Sequence, residues 1–329
     1  MTDNSPWRLC VAPMMEWTTS PCRIFHRLLS PHARLYTEMV HANAAIHGDR
    51  ARLLGFDAIE HPLALQLGGS EPALLAHATQ IGADLGYDEV NLNCGCPSER
   101  VQNGAFGACL MREPNLVGDC ISSMQAVVKI PVTVKCRIGV DDQDDDEGLY
   151  GFIDTVRQSG CSVFIVHARK AWLKGLSPKE NRDIPPLNYD RVRRLREEFP
   201  QLTIVLNGGV TTRAAAIEHA NDFHGVMLGR TAYHEPYLLA ELERDLFDPD
   251  YALPDRADIL HRLRDHIDPR LDRGESIAHF TRHLLGLYQG LPGARRFRRV
   301  LSENAHKQGA DFSVLEQAIA AVESTPIAA

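Results

Sequence analysis

The chain is predicted to fold as an α/β protein, a (β/α)8 TIM barrel over residues 1–250 followed by a small helical bundle over residues 251–329. Three observations predict this. Eight short runs rich in apolar and β-branched residues recur through the first two-thirds of the sequence. Segments of helical periodicity separate most of them, which is the alternation of a closed parallel barrel. After the eighth run only helical patterns follow.

In chain order the expected strands are Leu9–Pro13, Leu35–Met39, Leu63–Leu67, Glu89–Asn93, Val132–Cys136, Val163–His167, Ile204–Asn207 and Gly225–Leu228. Helical periodicity marks Glu71–Leu85, Pro114–Lys129, Tyr189–Glu198 and Thr211–Ala220, with Ser70 and Thr211 placed to cap two of them. The segment Phe247–Pro254 carries two prolines within six residues and reads as a linker. Beyond it, helices are expected near Asp255–Arg273, Ile277–Gln289, Ala294–Leu301 and Val314–Val322, broken at Gly274 and at Leu291-Pro292-Gly293. The acidic run Asp141–Glu147 reads as a solvated loop.

At 329 residues, with 44% hydrophobic and 24% charged residues, the chain can bury a core without covalent staples. Residues Met1–Arg8 lack an apolar segment, and no run approaches the roughly 18 apolar residues of a membrane span, so a cytoplasmic protein is expected. The eight cysteines (Cys10, Cys22, Cys94, Cys96, Cys109, Cys120, Cys136 and Cys161) lie mostly in apolar runs and read as buried thiols. Cys94-Gly95-Cys96 has the wrong spacing for a zinc knuckle and no second pair completes four ligands, so no metal is expected. Net charge is −8, yet Ser276–Ala310 holds six basic residues (Arg282, Arg295, Arg296, Arg298, Arg299 and Lys307) against Glu303 alone, which is +5 and leaves −13 for the remainder. Either a polyanion docks there or the stretch is a solvated helix face.

In a parallel barrel, chemistry sits at the C-terminal ends of the strands. Five runs end in a polar residue: Gln66, Asn93, Lys135, His167 and Asn207. Period-two alternation puts Asn91 and Asn93 on one face, and likewise Thr133, Lys135 and Arg137. One such residue is easily a structural polar group; five around one mouth point to a site. Asn207-Gly208-Gly209-Val210 and Leu228-Gly229-Arg230 are glycine turns on the last two strands, where barrels bind phosphate through backbone N–H groups, and Arg230 can pair with it. Two long excursions at the catalytic end, after Asn93 and after His167, are expected to build the substrate site. The second carries Lys170, Lys174, Lys179 and Arg182, a basic lip.

These residues resemble the tRNA-dihydrouridine synthase family, most closely its A-type branch, over essentially the whole chain. The matching motifs are Ala12-Pro13-Met14-Met15-Glu16-Trp17-Thr18, Leu65-Gln66-Leu67-Gly68-Gly69-Ser70, Asn91-Leu92-Asn93-Cys94-Gly95-Cys96-Pro97-Ser98, Val132-Thr133-Val134-Lys135-Cys136-Arg137-Ile138-Gly139, His167-Ala168-Arg169-Lys170, Lys179-Glu180-Asn181-Arg182 and Leu301-Ser302-Glu303-Asn304-Ala305-His306-Lys307. The resemblance implies an FMN held by Pro13, Met14, Met15, Gln66, Lys135, His167, Asn207, Gly208, Gly209, Gly229 and Arg230, with NADPH as reductant. It implies Cys96 as catalytic acid and D-loop uridines near position 20 of tRNA as substrate. Thr19 stands where many members have Asp and is expected to cap the first helix; Cys94 stands where an apolar residue is common.

Saturating the uracil 5,6 bond needs a hydride, which no side chain donates, so a redox cofactor has to supply it. The resemblance places the hydride from reduced FMN on C6 and the proton from Cys96 on C5. An ordinary thiol, with a pKa of about 8.5, is protonated at neutral pH as that role requires. Asn93 and His167 are expected at the uracil edge, and Lys179, Arg182, Arg298 and Arg299 on phosphates. Arg100 and Asn181 complete the expected tRNA contacts. The chain is expected to work as a monomer. Competing readings of the same residues are a small-molecule flavin barrel of the dihydroorotate dehydrogenase kind, a Cys/His acyl-transfer enzyme using Cys96 and His167, and an RNA-binding module with a relic barrel; bound flavin separates the first from the other two.

Overall fold

The computed structural model describes residues 5–98, 101, 104–143 and 146–324. All eight expected strands form: β1 (Leu9–Val11), β2 (Arg34–His41), β3 (Leu63–Gly68), β4 (Glu89–Cys94), β5 (Val132–Arg137), β6 (Val163–His167), β7 (Thr203–Asn207) and β8 (Gly225–Leu228). Each pairs in parallel with its sequence neighbour, and β1 pairs with β8, so the sheet closes. The pleat then decides what each side chain faces. In β4, Val90, Leu92 and Cys94 join the large apolar layer between strands and helices, while Glu89, Asn91 and Asn93 take the alternate positions and bond across the barrel interior. Cys10, Tyr36, Ala64, Ile165, Val205 and Met227 form a separate small core inside the barrel.

The helices of the barrel are α1 (Ser20–Leu29), α2 (Ala42–His47), α3 (Arg50–Leu54), α4 (Pro72–Asp84), α5 (Pro114–Gln125), α6 (Asp146–Gln158), α7 (Tyr189–Glu198), α8 (Arg213–Asp222), α9 (Arg230–His234) and α10 (Leu238–Leu246). Their starts differ from expectation in three places. Ser70 does not cap α4; that helix opens on Pro72, whose fixed φ suits a first turn and whose missing N–H is not needed there. Thr212, one residue after the expected Thr211, caps α8 by accepting from the Ala215 N–H at 3.2 Å. Thr19 precedes α1 without a side-chain cap; its hydroxyl instead bonds His283 Nε2 at 2.9 Å.

Asp255 caps α11 (Arg256–Arg262), accepting from the N–H groups of Ala257 and Asp258. The single helix expected to run to Arg273 is two, because the chain turns at Leu263 and restarts as α12 (Arg264–Asp272). α13 (Ala278–Leu284), α14 (Ala294–Asn304) and α15 (Ser313–Glu323) follow. α14 packs on α15, while α11 and α13 pack on α1, so the C-terminal helices are seated against the first barrel helix. Among the described residues no helix is long and apolar enough to cross a membrane.

The closed end of the barrel is plugged by the chain that enters it. Val226 N–H donates to the Arg8 carbonyl at 3.1 Å, and Trp7 donates its indole N–H to Glu89 at 2.7 Å. A Cβ at Gly225 would collide with the Trp7 carbonyl and the backbone of Arg8, neither of which is a flexible side-chain end. Gly225→Ala is therefore expected to lower stability by about 1–3 kcal/mol, the usual cost of overpacking, read from urea unfolding; an unchanged midpoint would show that this segment shifts freely.

Candidate active site

The polar strand ends meet at one mouth. Lys135 donates from Nζ to Asn207 Oδ1 at 2.9 Å, and Asn207 donates from Nδ2 to the Met227 carbonyl at 2.8 Å. Asn93 accepts, through Oδ1, from the backbone N–H groups of Gly95 (3.1 Å) and Cys96 (2.9 Å), and its Nδ2 donates to Gln66 Oε1 at 2.9 Å. Asn93 thus holds the Cys96 loop, leaving one amide N–H for a ligand rather than a whole amide edge. From the next strand Arg137, almost fully buried, donates to the carbonyls of Gly95 (3.0 Å), Lys170 (3.0 Å) and Asn181 (2.8 Å), tying the two long loops together. Below Cys96, Gly107 (φ +77) lets the chain pass against the Cys96 carbonyl, which accepts from Ala108 N–H at 2.9 Å. The Cys96 thiol, half-buried, points to Ser98 Oγ at 3.5 Å.

The electrostatics of the mouth are cationic. Lys135, Arg137 and Arg182 all lie within range of Cys96, and Arg169 joins them around His167. Burial, with Arg137 beside it, pulls the Lys135 ammonium down to about 8. Burial and these same cations hold His167 well below its ordinary value, so it is neutral at physiological pH. Among the described residues, His167 Nε2 is buried and has no hydrogen-bond partner. An unpaired buried nitrogen is costly, and at a site mouth it marks a place where a ligand belongs.

The glycine turns fit a phosphate. Gly208 and Gly209 adopt φ of +107° and +69°, and a Cβ on Gly208 would press into the His167 ring, whereas one on Gly229 would meet nothing within 4 Å. Arg230 opens α9 beside this space, paired at 2.6 Å with Asp183 from the loop after β6. A flavin mononucleotide fits this set: backbone turns and Arg230 for its phosphate, and Lys135, Gln66 and the open Nε2 of His167 for its polar ring edge.

A cleft of about 1790 Å³ spans the mouth and continues along the C-terminal helices. Pro13, Met14, Met15, Gln66, Asn93, Cys96, Lys135, His167, Arg182, Asn207, Gly208, Gly209, Gly229 and Arg230 all line it. Lys179 is exposed but lies outside it, and Arg298 and Arg299 on α14 are also off the cleft. Asn181 is a correction: it is fully buried, its Nδ2 donating to the carbonyls of Trp172, Leu176 and Ser177 and its Oδ1 accepting from Trp172 N–H, so it shapes its own loop instead of reaching RNA. Arg100 lies outside the described residues.

Of the far wall, formed by Arg52, Arg270, Arg273, His279 and Arg282, sequence reasoning singled out only Arg282, as part of the basic stretch. It missed how that wall is joined to the mouth. Trp17 stacks on Tyr233 with centroids 4.3 Å apart, and His283 bonds both Tyr233 OH (3.1 Å) and Thr19 Oγ1.

A closed parallel barrel with a cationic mouth, a thiol loop and paired glycine turns at the C-terminal end of its strands has the architecture of a barrel enzyme. The dihydrouridine synthase (Dus) family model matches residues 10–323, and the chain belongs to that family. It is 61% identical to a tRNA-dihydrouridine(20/20a) synthase of Xanthomonas campestris pv. campestris, over 94% of this chain and 92% of the relative. A Xylella fastidiosa protein of the same name is 56% identical over 97% and 96%, and one from Vibrio cholerae 54% over 96% of each. The protein is an enzyme of this oxidoreductase family.

The low Lys135 value has a consequence for folding. The amine binds its proton less tightly in the folded chain (about 8) than in the unfolded chain (10.5), so folding stability rises with pH between those values. Lys135→Met is expected to be more stable than the parent at pH 7, with the advantage shrinking from pH 8 to pH 10 in urea unfolding of the ligand-free chain; a pH-independent difference would place the Lys135 pKa at its ordinary value.

Proposed function

We propose that the protein is a tRNA-dihydrouridine synthase of the 20/20a type, reducing D-loop uridines of tRNA with FMN as bound cofactor and NADPH as reductant, as a monomer in the cytoplasm. The observation that carries this reading is the meeting at one mouth of the Cys96 loop, a His167 Nε2 without a partner among the described residues, and the two glycine turns, in a chain that covers more than nine-tenths of relatives bearing that name.

Bound in its reduced form, FMN would supply the hydride for C6 of uracil. Every other requirement falls on the chain. Cys96 gives a proton to C5 and is itself left as thiolate, a charge that Lys135 and Arg137 are placed to offset. Asn93 fixes the loop that carries the thiol and offers its remaining N–H to the base. Neutral His167 offers Nε2 to the cofactor or the base edge. The base has to leave its stack to reach the mouth, which costs a few kcal/mol and least in an unpaired loop, so a loop uridine suits the site better than a duplex one. Phosphates are assigned to Arg182 at the lip, Arg273 and Arg282 on the far wall, and Arg298 and Arg299 on α14, with residues 251–329 as the tRNA-binding domain.

The cofactor assignment is checked by heat-denaturing the purified protein and chromatographing what is released: FMN is expected, and FAD or no flavin overturns it. Cys96→Ala is expected to keep flavin and tRNA binding while turnover falls by ~100- to 10,000-fold, the usual worth of a general acid; wild-type dihydrouridine formation would move the acid role to another group. Replacing Arg273 with Arg282, or Arg298 with Arg299, by alanine removes two potential phosphate contacts in each case. The slope of log K against log salt for tRNA should fall by up to ~2 units, while flavin reduction by NADPH without tRNA is unchanged. Unchanged tRNA affinity in both pairs removes the C-terminal helices as the RNA grip.

A further inference from the structure

The Cys96 loop is connected to the closed end of the barrel by an unbroken line of side chains. Starting at the mouth, the N–H groups of Gly95 and Cys96 donate to Asn93 Oδ1. Asn93 Nδ2 donates to Gln66 Oε1 (2.9 Å), Gln66 Nε2 to Asn91 Oδ1 (2.8 Å), Asn91 Nδ2 to Thr133 Oγ1 (2.7 Å), and Thr133 Oγ1 to Glu89 Oε1 (2.5 Å). Every link donates in the same direction. Gln66, Asn91, Thr133 and Glu89 are 0–1% exposed, so bulk solvent does not reach these groups.

The two ends explain the direction. Backbone N–H groups only donate, and a carboxylate only accepts. Between them each amide has one orientation that satisfies both neighbours, and reversing any one sets donor against donor or acceptor against acceptor. Glu89 is itself over-determined as an acceptor. It takes Trp7 Nε1–H (2.7 Å) and Tyr36 OH (2.8 Å), with the Arg34 guanidinium 3.2 Å away.

We propose that Glu89 is a positioning residue for Cys96, its carboxylate setting the orientation of the Thr133–Asn91–Gln66–Asn93 line and thereby the placement of the thiol loop at the opposite end of the barrel. This goes beyond the assignment of Cys96 as acid and rests on it only for the effect on turnover. In Glu89→Gln the new NH2 faces either Trp7 and Arg34 or Tyr36 and Thr133. The first pair cannot accept, so the amide turns its N–H groups toward Thr133, against the foot of the line.

The test uses the full-length protein with its cofactor as purified. The alkylation rate of Cys96 by iodoacetamide, followed across pH by peptide mass spectrometry, reads the placement and environment of the thiol directly. Steady-state kinetics with tRNA read the consequence. Glu89→Gln is expected to change the Cys96 alkylation profile by at least ~3-fold at a fixed pH and to lower kcat by about 10-fold with KM for tRNA unchanged, since sub-ångström misplacement of a reacting group costs on this scale. Thr133→Val cuts the line at the step next to Glu89 and leaves the Trp7, Tyr36 and Arg34 contacts of Glu89 in place, so it gives the same result should Glu89→Gln fail to fold. Thr133→Ser, which restores the hydroxyl, should restore both readouts. Alkylation of Cys96 at the parental rate and pH profile in a folded Glu89→Gln or Thr133→Val protein overturns the proposal. A changed alkylation profile with parental kcat upholds the positioning and instead removes Cys96 as the acid.

Discussion

Inside a closed barrel an inward-facing polar side chain is shut off from bulk water and has to find its partner there, and the buried carboxylate of Glu89 is where that requirement ends. It is fully buried on β4, yet four groups from three other parts of the chain converge on it: Trp7, Arg34, Tyr36 and Thr133. A lone buried carboxylate would be strongly disfavoured, whereas one so surrounded holds the entering segment, β2 and β5 to the same point. The inner apolar core sits beside this cluster, and the mouth is built from what remains of the same inward-facing rows. The fold and the site are two ends of one set of alternating positions.

The mouth pays a different cost. It gathers Lys135, Arg137, Arg169 and Arg182 around His167, and among the described residues there no carboxylate is buried: Asp183 is exposed and Glu38 only half-buried. Such an arrangement disfavours the empty chain and favours an anion that arrives. The histidine answers by remaining neutral and the lysine by loosening its proton, so the site stores affinity for a negatively charged ligand in groups that would otherwise repel one another.

The strands were legible because each is a short run rich in apolar and β-branched residues, and five of them end in a polar residue, an ending that a parallel barrel makes meaningful; all eight strands and the five polar ends stand where the pattern put them. Helix starts were less legible. Ser70, Thr211 and Thr19 are all good capping residues, but Pro72, Thr212 and the pull of His283 decided the outcome, and only the last of these depends on a residue more than 250 positions away. Asn181 was expected among the tRNA contacts; its burial follows from how the loop folds back on Trp172 and Arg137, which no local pattern encodes. Most of the far wall was hidden for the same reason. Counting charge favoured the dense run on α14, whereas α12 and α13 reach the cleft because of how the C-terminal helices seat on α1.

That seating is fastened at the mouth itself, through the Trp17–Tyr233 stack and the bonds of His283 to Tyr233 and Thr19. Trp17 and Thr19 follow directly on the Met14–Met15 turn that lines the cleft, so the wall of cations and the entrance to the barrel are set at a constant separation. For a folded RNA gripped on that wall, the molecule acts as a gauge. On the proposed reading, the nucleotide at the entrance would be chosen by its distance from the gripped phosphates, with no need to read the identity of its neighbours.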